Sequence, residues 1–100
     1  MDQVKLTAYI DTEIADAIID DHGTGALAIV TAYYIYDAQG ASKVGGEVWM
    51  GRAKVFVAYC ADQATAIQVK NRIMQLTPPG KSIGFELADA EVYVFTEEVR

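Results

Sequence analysis

One hundred residues make a single domain with room for one modest core, and 52% hydrophobic with 22% charged residues is the composition of a folded chain. A net charge of −6 argues against the basic face that a nucleic-acid binder needs. Cys60 is the only cysteine, and no leader or membrane-spanning run of about 18 apolar residues stands out, so the expectation is a cytoplasmic protein without membrane insertion.

Residues 4–10 alternate Val, Leu, Ala and Ile with Lys, Thr and Tyr, the period of a strand with one buried face. Asp11 or Thr12 then caps a helix with Ile14, Ala17 and Ile18 as its apolar stripe, and His22-Gly23 ends it, the imidazole sitting as a solvated cap on the helix dipole. Residues 26–36, ALAIVTAYYIY, are nearly all β-branched, aromatic or alanine and predict a long buried strand. A glycine-rich stretch follows, YDAQGASKVGGEVWMGR at 36–52, which predicts a flexible segment at about 37–48. Strand character resumes over 48–60 and ends on Cys60, a small core or interface residue. Asp62 caps a second helix with Ala66, Val69, Ile73 and Leu76 at spacings of three and four, and Thr77-Pro78-Pro79-Gly80 stops it. Residues 85–87 and 90–95 supply the last strand.

The order is βαββαβ, the ferredoxin-like α+β fold: one domain over 1–100, with a four-stranded antiparallel sheet and both helices on one face. Two short helices leave the other sheet face uncovered. Residues such as Tyr9, Phe56, Tyr93 and Phe95 remain for that face, and apolar surface of this extent marks an interface, so a symmetric oligomer is expected.

One histidine and one cysteine leave too few ligands and nucleophiles for zinc or triad chemistry within one chain, and nothing in the pattern points to an enzyme. Asp16 and Asp20 share a helical face, where a wet acidic surface competes with a weak divalent site. Gly80-Lys81-Ser82 resembles the end of a P-loop, but Gln75 stands where the first glycine belongs, and the tripeptide follows a helix instead of a strand. It is either a structural turn or a loop offering N–H groups and a cation to a phosphate. Residues 43–81 carry a net +4 inside this acidic chain. That is either a seat for a small anion or ordinary surface charge.

The element order, the excursion between the second and third strands and the turn TPPGKSIGF at 77–85 together resemble the PII and PII-like signalling proteins. The resemblance spans nearly the whole chain in layout and implies a homotrimer. In that family the excursion is the T-loop, which contacts a protein target, here a transporter or an enzyme reached through residues 38–47. The turn is the B-loop, which holds nucleotide phosphates between subunits. Gly80, Lys81 and Ser82 fall in the B-loop-like turn, and Gln39 and Gly40 at the T-loop base. Arg52 and Lys54 add candidate charge contacts. The turn lacks a Gly-Asp-Gly-Lys run, Glu97 and Glu98 stand where a basic C-terminal loop is usual, and no tyrosine sits near the excursion's tip. These departures place the resemblance nearer the PII-like proteins of bicarbonate transport and carboxysomes than the nitrogen regulators. The implied ligand is an adenine nucleotide (ADP, AMP, cAMP or ATP), with or without bicarbonate. The alternatives are a ligand-free structural or partner-binding oligomer and a divalent-metal-binding trimer.

Overall fold

The computed structural model describes residues 2–21, 25–44 and 47–93. The elements are β1 (Asp2–Ile10), α1 (Thr12–Asp20), a 3-10 turn at Ala26–Ala28, β2 (Ala32–Val44), β3 (Glu47–Cys60), α2 (Gln63–Leu76) and β4 (Gly84–Glu91). Both helices begin where an aspartate can cap them. The Oδ1 of Asp11 accepts from the N–H of Ile14 at 2.9 Å, and the Oδ1 of Asp62 accepts from that of Thr65 at 2.7 Å, each satisfying a donor that the first turn leaves free. Helix α2 ends at Thr77, whose hydroxyl donates to the carbonyl of Ile73 at 2.7 Å before the two prolines.

The sheet is antiparallel with order β2-β3-β1-β4, the ferredoxin-like arrangement expected. Its register separates two faces. Leu6, Ala8 and Ile10 of β1 and Phe56, Ala58 and Cys60 of β3 pack against Ile14, Ala15 and Ile18 of α1 and Ala66, Val69 and Ile73 of α2. The opposite face is built of cross-strand rows: Tyr36–Val55–Tyr9–Gly84, then Tyr34–Val57–Thr7–Glu86. Val55 and Val57 are buried within those rows, while Tyr9, Tyr34 and Tyr36 remain 45–47% exposed. The open face is therefore a tyrosine-rich surface with an aliphatic centre. Phe56, expected there, belongs instead to the helix-side core, because it shares its parity with Ala58 and Cys60.

Residues 26–36 do not form one buried strand. They divide into the 3-10 turn, which buries Leu27, and the start of β2, which among the described residues pairs only with β3 and so stands at the edge of the sheet. Tyr33, Tyr34 and Tyr36 are exposed, a position that suits a ring with an apolar body and a polar tip. Within the segment expected to be flexible, about 37–48, the described residues pair as a β-ribbon. Seven pairs, from Ala38↔Ala53 to Val44↔Glu47, continue the β2–β3 ladder beyond Ile10↔Lys54, where β1 ends. At about 3.4 Å per residue this ribbon adds roughly 24 Å to one end of the molecule. The extents are accordingly 55 × 28 × 24 Å, and the radius of gyration is 15.0 Å against about 13 Å for a compact chain of this length. Strand β4 ends at Glu91, short of the expected residues 92–95. The expected cap at His22 lies outside the described residues, as do Phe95, Glu97 and Glu98.

Candidate functional site

The candidate residues gather at one end of the sheet. Asp37 of β2, Lys54 of β3 and Ile10 of β1 form one row, after which Asp11 caps α1. Strand β4 starts at Gly84 opposite Tyr9, so the preceding turn, residues 77–83, enters at this same end. Gly80 has φ +85° there, a left-handed conformation that glycine adopts without the Cβ clash other residues suffer. The Lys81 N–H donates to the carbonyl of Pro78 at 3.3 Å and closes the turn. One step further along the ribbon, Gln39 stands opposite Arg52, and Gly40 opposite Gly51.

Two cations of this region, Lys81 and Lys54, already have partners. Lys81 Nζ lies 2.5 Å from Asp11 Oδ2 and 3.6 Å from Glu13 Oε2, and Lys54 Nζ lies 2.5 Å from Asp37 Oδ1. The hydrogen bond from Lys81, followed by that from the Ile14 N–H, holds the Asp11 carboxyl below its ordinary pKa. The same carboxylate raises the pKa of Lys81. At the other end of α1, Arg72 of α2 donates to both Asp21 oxygens at 2.9 Å, and its third nitrogen reaches Gln75 at 3.0 Å. Asp11, Glu13 and Asp21 come from the acidic flank before residue 43, so part of the +4 middle segment is spent on ion pairs within the chain. That agrees with the surface-charge reading of the cationic middle. The structure brings Gly80, Lys81, Ser82 and Lys54 to the end of the sheet from which the ribbon carrying Gln39, Gly40 and Arg52 extends.

Sequence reasoning missed Asp11 and Glu13 as the partners of Lys81, since the contact spans 70 positions. Asp11 was recognisable as a helix cap, but nothing in its spacing shows a second role. A cavity of about 550 Å³ lies at the opposite end of the sheet, with Asp2, Gln3, Asp89 and Glu91 in its lining. Cys60 is fully buried, and burial, followed by the charge of Asp62, pushes its thiol pKa up, which suits a core residue. Asp16 and Asp20 are exposed, and among the described residues no group of three or more His, Cys, Asp or Glu could hold a metal ion.

No family model and no curated protein matches the chain in sequence. Solved structures do match in shape. The chain is similar to the divalent cation tolerance protein Cut A1 of Thermus thermophilus, with a TM-score of 0.64 at 15% identity over 96% of this chain and 88% of that one. A PII-like signalling protein of the same organism gives 0.63 at 12% identity, over 90% and 88%. The periplasmic divalent cation tolerance protein CutA of Archaeoglobus fulgidus gives 0.64 at 7% identity, over 96% and 88%. The fold is the one shared by CutA and PII-like proteins. At these identities the likeness extends to the fold alone. No described helix is long and apolar enough to cross a membrane.

Proposed function

We propose that this is a non-catalytic, oligomeric small-molecule sensor of the PII-like type, binding an adenine nucleotide, with or without bicarbonate, between subunits. The observation that supports this best is the convergence at one sheet end: a glycine-shaped turn with Lys81, the capped start of α1, and the base of a projecting ribbon. A ligand held there touches both the turn and the ribbon base, and so biases the element that reaches furthest from the body toward or away from a protein target. The tyrosine-rich open face supports assembly, with a homotrimer as the reading carried by the resemblance. A cytoplasmic setting is part of this proposal, although one structural neighbour is described as periplasmic.

A second reading, divalent-cation binding, is favoured by the names of two of the neighbours. Thermal shift with adenine nucleotides, bicarbonate and divalent metals separates the readings, because a ligand that binds only the folded state raises its melting temperature. The proposal expects a shift with a nucleotide, and binding weakened about tenfold or more in Lys81→Ala, the consequence of losing a charged hydrogen bond. A shift with metals alone supports the second reading. No shift with any of them supports a ligand-free interaction module.

A further inference from the structure

Lys81 is the cation best placed to meet an anion in the 77–83 turn, yet its ammonium rests 2.5 Å from Asp11 and 3.6 Å from Glu13. We infer that Asp11 and Glu13 act as a resident competitor for Lys81, so that a phosphate-bearing ligand binds the turn only by taking the ammonium from them. This rests on the nucleotide reading above and adds to it the regulation of the site.

The arrangement suits an exchange. Asp11 divides its carboxylate between two tasks, Oδ1 accepting from the Ile14 N–H and Oδ2 taking Lys81. Losing Lys81 therefore leaves the α1 cap intact, and only the turn is released. The pair is part-exposed, with side-chain exposures of 42% for Lys81 and 36% for Asp11, so water screens it and an exposed contact of this kind breaks at little cost. A phosphate offers Lys81 the same charge-assisted hydrogen bond with more negative charge behind it. Among the described residues, the Lys81 side chain is the ion-pair link between the 77–83 turn and α1, while the backbone bond from Lys81 to Pro78 stays within the turn. Ligand binding would thus trade a turn fastened to α1 for a turn fastened to the ligand.

The test is calorimetry with ADP and with pyrophosphate on wild type, Glu13→Gln, Asp11→Asn and Lys81→Ala. Asparagine caps a helix as well as aspartate, so Asp11→Asn removes the competing charge and keeps the cap. The expected result is tighter binding in both carboxylate variants, by about two- to fivefold for Glu13→Gln and more for Asp11→Asn, with weaker binding in Lys81→Ala. Wild-type binding with no gain in either carboxylate variant overturns the inference and leaves the nucleotide reading standing. Absence of binding in all four proteins overturns both. A ligand-free check uses NMR titration of the Asp11 carboxyl, whose pKa should rise in Lys81→Ala. An unchanged value shows that the contact is absent in solution, and the inference then fails whatever the calorimetry gives.

Discussion

Strands β2 and β3 pass through two environments. From Ala32↔Tyr59 to Asp37↔Lys54 they belong to a four-stranded sheet, with β1 and β4 beyond β3 and the helices over one face. From Ala38↔Ala53 to Val44↔Glu47, among the described residues, they pair only with each other. The backbone pattern does not change across the boundary, but its support does. A lone two-stranded ribbon is marginal in water, whereas three or more strands with a covered face are stable. The body is therefore where stability resides, and the ribbon is where a partner can act at low cost.

The largest effect expected from this division follows truncation of Phe56. It is fully buried, sits in the central β3 between Ile35 and Ala8, and has the Tyr33 ring 6.0 Å away. Phe56→Ala should cost about 3–5 kcal/mol, seen as a lower denaturant midpoint at an unchanged slope. A loss below about 1 kcal/mol would show that the body is not packed as described.

A smaller effect is expected at Gly25, where the helix-side layer turns toward β2. A Cβ built there lies 1.8 Å from Asp21 Oδ2, and that carboxylate is pinned by two bonds from Arg72, so it has no free route aside. Gly25→Ala should destabilise by about 1–3 kcal/mol, the usual range for forced overpacking. The loss should shrink in an Asp21→Ala background, because the clash and the ion pair share one side chain. Equal losses in both backgrounds would place the strain in the backbone instead.

The body was the legible part of the sequence, and the reason is periodicity. Residues 4–10 carry period two, Ala66, Val69 and Ile73 carry helical spacing, and Asp11 and Asp62 precede their helices as caps must. Each of these is a local rule, readable within about ten residues. Residues 26–36 misled because β-branched and aromatic content fits an edge strand as well as a buried one; burial depends on strand order, which is not a local property. The glycines at 40, 45, 46 and 51 suggested a loop, yet a ladder needs only backbone groups, and Gly40 and Gly51 pair with each other. At the candidate site, Gly80 was legible as a turn residue. The Lys81–Asp11 contact was not, because it joins residues that only the fold brings together.

Acid should act on the body through its helix caps, with a smaller effect again. The folded-state pKa of Asp11 lies below its ordinary 3.8, chiefly through Lys81, and that of Asp62 does so through the Thr65 backbone N–H. A depressed carboxyl contributes stability that is complete above the unfolded value and is lost as pH falls through the folded one. The melting temperature should therefore hold steady above about pH 4 and fall below it. Asp62→Asn, which caps without titrating, should flatten part of that fall. An unchanged acid profile in that variant would remove the caps from the explanation.

The smallest expected effect is the sharpest test of the division between body and ribbon. Replacing residues 41–50 with Asn-Gly would close β2 and β3 through a type I′ turn between Gly40 and Gly51, a geometry that suits the twist of an antiparallel pair. Among the described contacts, the deleted positions pair only with one another, while Asp37, Lys54 and the 77–83 turn all remain. The shortened protein should keep its fold and melt within a few degrees of the parent, since shortening a connection changes closure entropy only slowly. Under the proposed sensor function it should also keep nucleotide binding while losing engagement of a protein target. A collapse of the melting temperature, together with a change of oligomer mass by light scattering, would mean that the ribbon braces a neighbouring copy. The ribbon would then be part of the assembly, and the place where a ligand acts would have to be sought in the contact between subunits.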